Sequence, residues 1–414
     1  MHGNHFCRQE FSRRCKKKSK IVSSAAKNIS PRKPWVDGLL IVLFAALLWL
    51  PTVDFFSGVD RTEPPGENRM PAPKPRLTQW NLSGVQTYFI AAETYFNDYF
   101  GFRKRLIRWF QQWKMRLYHD LSGYSVVPGQ NGWLFRGEDQ MVDHYLGMAK
   151  FTPAQLQCWQ TVLEKRRDWL AARGIKYLFV IPPNKQVVYP EFLPVWLQQA
   201  TPAQRETKLD QFLQYMKAHS TVEILDLRPV LLAAKTTAPT YLQNDMHWNA
   251  YGSFVGCQEV IKTLTKHFPD LPPLRWEDFI WTNAPATGGD LAGILGWNVA
   301  EKNYFAFQAG PALPGLRTKE NRAFQSNWGV NPLVTVENPG PLRRKVVLFH
   351  DSFGATWPPF LGQCFQRSVL VRESREFFTP LISSKAPDVV INEIVEGFFY
   401  IRDPQEMLRK DALP

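Results

Sequence analysis

Two short stretches about a hundred residues apart hold the side chains that acyl-serine chemistry requires: Asn244-Asp245-Met246-His247-Trp248 and Phe349-His350-Asp351-Ser352-Phe353-Gly354. A serine hydroxyl is a weak nucleophile at neutral pH. It needs a base in hydrogen-bond reach and a third group that orients the base. By residue type, Ser352 is the candidate nucleophile, His247 the general base and then acid, and Asp245 the orienting carboxylate. The backbone N–H groups of Ser352 and Phe353 are expected to face a developing oxyanion. The competing reading is a serine in a turn and an unrelated loop histidine, and the surrounding elements decide between the two.

Those elements can be read from apolar patterning. Val346-Val347-Leu348-Phe349 is a buried strand by composition, so Ser352 falls where a strand stops and the chain turns. Asp245 and His247 share a loop just before a helix over 250–267 capped by Asn249. Helices are also expected over 153–173, stopped by Gly174, and over 202–219. Further strands are expected at 175–181, 222–227, 369–371 and 388–392. Short apolar strands alternating with helices predict an α/β domain with a mostly parallel sheet, whose ligand sites lie at the carboxyl ends of strands.

Neighbouring side chains bear on the same site. Asn184 and Lys185, at the end of a strand, and Trp248, beside His247, are the candidate substrate-binding residues. Their competing readings are turn chemistry after Pro182-Pro183 and ordinary core packing, the latter applying also to Trp133 and Trp297. His350 is expected to be structural, because strand neighbours point to opposite faces, and Asp351 reads as a turn-former. Asp290, after Gly288-Gly289, is either a loop anchor or a cleft residue. The histidines are scattered without metal-ligand spacing, so neither metal nor cofactor is expected.

The chain has 414 residues, 44% of them hydrophobic, enough for one large or two modest domains, and a net charge of +13. That charge does not describe a nucleic-acid surface. Arg8, Arg13, Arg14, Lys16, Lys17, Lys18, Lys20, Lys27, Arg32 and Lys33 crowd the first 34 residues, opposed only by Glu10, and an uncharged apolar run over 38–53 follows directly. Basic before and apolar within is the positive-inside pattern of a single-pass anchor with the remainder exported. A cleaved signal peptide is the alternative, but cleavage near Ser57 would put Phe55 at the −3 position, a poor fit. The resulting division is a basic cytoplasmic tail 1–34, an anchor 35–56, a proline-rich linker 57–80, a helical segment 81–121 broken near Gly101, and the α/β domain 122–405. Of five cysteines, Cys7 and Cys15 fall on the cytoplasmic side, while Cys158, Cys257 and Cys364 require no disulfide.

Several motifs in order carry a more specific resemblance: Phe96-Asn97-Asp98-Tyr99-Phe100-Gly101-Phe102-Arg103, Gly129-Gln130-Asn131-Gly132-Trp133-Leu134-Phe135, Pro182-Pro183-Asn184-Lys185 with Tyr189-Pro190, Asp245-Met246-His247-Trp248, Gly289-Asp290-Leu291 and Asp351-Ser352-Phe353. Over roughly residues 90–400 the chain resembles the SGNH-hydrolase-like alginate O-acetyltransferase family. The resemblance implies a circularly permuted SGNH order, in which the Asp/His pair precedes the serine. It also implies acetyl transfer to hydroxyls of an extracellular polysaccharide, a membrane acyl-donor protein as partner, and an inner-membrane protein whose catalytic domain lies in the periplasm. Two departures stand out. His350 replaces the glycine of the usual Gly-Asp-Ser, and Glu396 stands near the place of the family's oxyanion asparagine. A carboxylate accepts but cannot donate unless protonated. A carbohydrate acetyl esterase and a non-catalytic polysaccharide-binding scaffold are the rival functions of the same fold.

Overall fold

The computed structural model describes residues 34–58, 72–103, 105–106, 109–110, 125–138, 140–283, 286–295, 297, 299–301, 305–310 and 313–413. The basic tail, most of the proline-rich linker and most of the second helix expected before residue 121 lie outside the described residues. Two compact units divide the chain, the first over residues 1–64 and 69–106 and the second over 65–68 and 107–414.

In the first unit, α1 (Pro34–Ser57) contains a stretch, Trp35–Ser57, of mean hydropathy 2.3. At ~1.5 Å per residue its 23 residues are long and apolar enough to cross a ~30 Å hydrocarbon layer. Helix α2 (Leu82–Tyr99) starts where the Asn81 side chain accepts the Gly84 N–H at 2.7 Å. It ends before the expected break at Gly101, where a Cβ would stand only 2.2 Å from the Pro51 carbonyl oxygen. Phe55 of α1 packs against Tyr95 and Phe96 of α2.

The second unit is built on a seven-stranded sheet. Its strands are β1 (Lys176–Ile181), β2 (Ile224–Asp226), β3 (Arg317–Ser326), β4 (Gly329–Glu337), β5 (Lys345–Phe349), β6 (Arg367–Val371) and β7 (Val389–Glu393), in the order β2-β1-β7-β5-β6-β4-β3. The pairs β1/β2, β1/β7, β5/β7 and β5/β6 are parallel, while β4 runs antiparallel to both β6 and β3. The five expected strands thus form the parallel part. Side chains alternate between two cores. Leu178, Val180, Leu348, Leu370 and Ile391 face one side, and Phe179, Ile181, Val347, Phe349, Val369 and Val390 the other. Burial on both faces is why these strands are continuous apolar runs.

Helix α3 (Pro153–Ala171) opens on a capping box between Thr152 and Gln155. The helix expected from Pro202 begins later, as α4 (Lys208–His219), because Thr207 and Asp210 form the same reciprocal cap there; residues 195–200 make a separate short helix. Helix α5 (Ala250–Leu264) starts at Asn249 as expected. Short helix α6 (Asp290–Ile294), α7 (Thr379–Lys385) and α8 (Pro404–Asp411) complete the elements used below. Cys158, Cys257 and Cys364 are all free thiols.

One buried ion pair ties the second unit's early helix to its C-terminus. Arg166 on α3 is fully buried, and its guanidinium donates to Asp411 Oδ2 (2.7 Å) and Oδ1 (2.8 Å), Asn392 Oδ1 (2.6 Å) and the Arg375 carbonyl (2.7 Å). Such a pair stabilises only while every partner is present, since an orphaned buried charge cannot be rehydrated. Asp411→Ala should therefore cost about 3–5 kcal/mol in chemical denaturation. The double change Arg166→Met with Asp411→Ala, which leaves no charge behind, should recover most of that loss.

Candidate active site

The serine stands at the carboxyl end of β5, the middle strand of the seven-stranded sheet, on the turn that leads into residues 354–356. Asp351 shapes this turn. Its Oδ1 accepts the Phe353 N–H (2.9 Å) and its Oδ2 the Val395 N–H (2.7 Å). From below, Glu393 Oε2 accepts the N–H groups of Asp351 (3.0 Å) and Gly354 (3.2 Å). A Cβ on Gly354 would lie 2.5 Å from the His350 Cβ, so only glycine lets the turn close this tightly. Burial, then the charge of Asp351, pushes the Glu393 carboxyl well above the usual range.

The loop before α5 brings His247 to this turn. Ser352 Oγ lies 2.7 Å from His247 Nε2, and His247 Nδ1 lies 2.7 Å from Asp245 Oδ1. A carboxylate only accepts, so Nδ1 carries the hydrogen and Nε2 is the acceptor for the serine hydroxyl. Asp245 Oδ1 also accepts the His247 backbone N–H (2.9 Å), and its Oδ2 accepts that of Asp290 (3.0 Å). Burial acts to raise the Asp245 pKa, but the hydrogen bonds and charge of His247 outweigh it and hold the carboxyl well below the ordinary range. Burial acts to lower that of His247, and the bond and charge of Asp245, with the charges of Asp290 and Asp351, override it upward.

The loop over 242–247 is held by buried charges. Lys185, 2% exposed, donates from Nζ to the carbonyls of Leu242 (3.0 Å), Gln243 (3.0 Å) and Asp245 (2.7 Å). Glu301 accepts the adjacent N–H groups of Gln243 and Asn244, each at 2.8 Å. Asp290 Oδ1 accepts from Met246 N (2.8 Å) and Leu291 N (2.7 Å). Gly289 has φ +118°, and a Cβ there would sit 2.3 Å from the Asn244 carbonyl. Burial pulls the Lys185 ammonium down to about 7 against the opposing charges of Asp245, Asp290 and Glu301. Three carbonyl acceptors match the three hydrogens of its charged form.

A cleft of about 520 Å³ opens above the serine, with His247, Asp290, His350, Asp351 and Ser352 on its floor and Arg136, Arg372 and Arg402 among its walls. The ring of Phe398 lies 5.1 Å from the guanidinium groups of both Arg136 and Arg402. His350 is buried, and its Nδ1 faces the Asp351 carbonyl oxygen at 2.6 Å.

Residues 126–326 match the protein family described as SGNH hydrolase-like domain, acetyltransferase AlgX. The matched stretch is just under half of the chain. The match includes Asp245, His247 and Asp290 and stops short of Ser352. The chain is 26% identical over 179 residues to a probable alginate O-acetylase AlgJ of Pseudomonas syringae pv. tomato, covering 43% of each chain. It is 25% identical over 215 residues to that of Pseudomonas aeruginosa, covering 47% of this chain and 51% of the relative. It therefore spans about half the length of the curated relatives it matches. Among solved structures, PatB1 of Bacillus cereus with a sulfonyl adduct superposes with a TM-score of 0.51 at 14% identity, covering 68% of this chain and 97% of the other. That similarity shows a shared fold.

The structure brings Ser352, His247 and Asp245 together and places the candidate substrate-binding residues elsewhere. Asn184, Lys185 and Trp248 are not among the residues lining the cleft. Asn184 Oδ1 accepts the Gly397 N–H at 3.0 Å, and Lys185 is committed to the loop carbonyls. Trp248 is a core residue stacked on Trp357, its Nε1–H donating to Thr356 Oγ1 at 3.2 Å. Trp133 likewise stacks on Tyr189 and Phe192 beneath Lys185.

The expected oxyanion donors also need correction. The Phe353 N–H is taken by Asp351, whereas that of Ser352 has no acceptor among the described residues. Glu396 is buried away from the cleft, accepting the Asn184 N–H at 2.8 Å and the Tyr400 hydroxyl. Burial raises its pKa.

Asp290 is the neighbour that sequence reasoning left undecided, and it is both anchor and cleft residue. Its Oδ2 lies 3.6 Å from His247 Nδ1 and, unlike Oδ1, has no hydrogen-bond partner among the described residues. Burial, then the charge of Asp245, lifts the Asp290 carboxyl to about 6. Near pH 7 it is thus mostly ionised and adds to the field that raises His247. NMR of the His247 ring nitrogens should show a pKa above the ordinary ~6.5. Asp290→Asn should lower it by roughly 0.5–1 unit, since one neighbouring charge is removed. An unchanged value would mean that Asp290 acts on the loop's amides alone.

Proposed function

We propose that this chain is a membrane-anchored, extracytoplasmic O-acetyltransferase that moves an acetyl group through Ser352 onto hydroxyls of an alginate-like polysaccharide. The observation that carries the reading is a single imidazole at 2.7 Å from both a strand-end serine hydroxyl and a carboxylate. The names of the AlgJ relatives supply the acetyl group and the polymer. The three arginines on the cleft wall suit a carboxylated sugar, because guanidinium groups pair well with carboxylates.

The steps follow from the geometry. Ser352 Oγ attacks the acetyl carbonyl of the donor while its proton passes to His247 Nε2. The imidazolium is stabilised by Asp245 and Asp290, and the oxyanion faces the unpaired Ser352 N–H. Collapse expels the donor's leaving oxygen, which takes the proton from Nε2 and leaves acetyl-Ser352. A sugar hydroxyl then enters, gives its proton to Nε2 and attacks the ester. The second collapse returns the proton to Ser352 Oγ and releases the acetylated polymer. The donor is a membrane acyl-carrying protein by the same family resemblance, and α1 would keep the domain near it.

With full-length protein, an acetyl-ester probe and polymannuronate as acceptor, Ser352→Ala should abolish acyl-enzyme formation. His247→Ala should cost about as much, because the group acts as a unit. Asp245→Asn should lower turnover roughly 10²–10⁴-fold with folding intact. Normal polymer acetylation in cells by Ser352→Ala would leave a scaffold, and hydrolysis alone with acceptor in excess would make the protein an esterase. Topology is tested separately. A reporter active only outside the cytoplasm should work when fused after residue 80, and activity solely of a cytoplasmic reporter would place the domain inside.

A further inference from the structure

A second concave surface lies on the antiparallel edge of the sheet, a groove of about 510 Å³ that shares no lining residue with the catalytic cleft. Its residues are set by strand register. Arg317 of β3, Glu337 of β4 and Arg367 of β6 form one row across three strands, followed by the row Lys319, Thr335 and Val369 and the row Asn321, Leu333 and Val371. Lys385 and Leu381 enter from α7, and Phe324 with Leu333 gives an apolar floor. Four cations therefore meet one anion. Glu337 is engaged by Arg367, whose Nε and Nη2 donate to its Oε1 at 3.1 and 2.9 Å. Arg317, Lys319 and Lys385 have no ion-pair partner among the described residues.

Charges on an exposed edge strand also discourage edge-to-edge pairing between molecules. That function needs charge on β3 alone. Here the cations converge from β3, β6 and α7 onto one concavity, interleaved with hydroxyl and amide groups and floored by an aromatic ring. This is the chemistry that holds an acidic sugar chain: ammonium and guanidinium groups for carboxylates, Thr335 and Asn321 for hydroxyls, and Phe324 for an apolar ring face. A lipid headgroup layer would be met better by a protruding basic patch than by a groove.

We propose that this groove is a second, non-catalytic subsite for a carboxylated polysaccharide. It rests on the proposed function only for the nature of the polymer, not for the chemistry at Ser352. The groove begins at the amino end of β6, and the serine turn lies beyond the carboxyl end of its neighbour β5. Four intervals of ~3.3 Å separate the first and last residues of β6, roughly 13 Å, so a polymer longer than the cleft could engage both. Holding one segment in the groove raises the concentration of the next at the cleft.

The test uses full-length Ser352→Ala protein, so that binding is read without turnover and the outcome does not depend on the enzyme reading. Affinity electrophoresis through polymannuronate, carboxyl-reduced polymannuronate and neutral dextran should show retardation by the first only, weakening as salt is raised. Reversing the groove charges with Arg317→Glu, Lys319→Glu and Lys385→Glu should weaken binding roughly tenfold or more, from the combined loss of exposed ion pairs and the repulsion that replaces them. The Gln versions of the same three changes should give a smaller loss in the same direction. Arg317 and Lys319 are exposed and Lys385 half-buried, none in an ion pair among the described residues, so the thermal melt should be unchanged, and the Gln set keeps the test valid if the Glu set unfolds. Unchanged retardation in a folded variant, or equal retardation by dextran, overturns the proposal. Binding to vesicles of phosphatidylglycerol and phosphatidylcholine without binding to polymannuronate also overturns it, in favour of a lipid surface.

Discussion

Everything at the candidate site depends on fixing a loop that has almost no regular structure of its own. Residues 242–247 must present Asp245 and His247 to a serine more than a hundred residues later in the chain, yet their regular pairing is limited to one isolated bridge between the flanking Tyr241 and Trp248. Their polar backbone groups cannot stay unpaired in a buried setting. The chain answers with charged side chains of both signs. The Lys185 ammonium collects carbonyls, while the Glu301 and Asp290 carboxylates collect N–H groups. Each ion is hydrogen-bonded to dipoles that must themselves be satisfied, so its burial is offset by partners the loop supplies.

This division of labour explains which parts were legible beforehand. The parallel strands could be read because burial on both faces makes them apolar runs, and the serine turn followed from where β5 ends. The β3/β4 hairpin could not. Arg317–Ser326 is polar and exposed along nearly its whole length, with no alternation to mark a strand. Its partner β4 is identified by antiparallel pairing with β6, a long-range fact with no local signature.

The loop's supports were legible only in part. Asn184 and Lys185 read as substrate-binding residues at a strand end, because residue type alone does not distinguish a side chain that meets substrate from one that meets backbone. Lys185 reads as a surface cation until its environment is known: a pocket over Trp133 and Phe135, with three carbonyls converging from above. Glu301 belongs to a two-residue strand that no periodicity could reveal. Asp290 did carry a signal, the paired glycines before it. Gly289 occupies a left-handed conformation against the Asn244 carbonyl, and that close approach sets Asp290 beneath the loop.

The serine turn is built on the same principle with one difference. Glu393 and Asp351 are two buried carboxyl groups in one site, and two negative charges in so little space would repel strongly. Burial pushes both pKa values up; the charge of Asp351 lifts Glu393 further, while the hydrogen bonds of Val395, Phe353 and Glu393 pull Asp351 back, which favours a proton on Glu393 and a charge on Asp351. Asp351 then accepts the Phe353 and Val395 N–H groups, and Glu393 accepts those of Asp351 and Gly354. A turn that replaces the usual glycine by His350 and an oxyanion asparagine by a buried glutamate is thereby still held at four amides. The Ser352 N–H alone is left over, pointing to the carboxyl end of β5 as the place where an anion can be met by the backbone itself. Under the proposed mechanism, with no side-chain donor at Glu396, an oxyanion would be met by that N–H and by the arginines of the cleft wall.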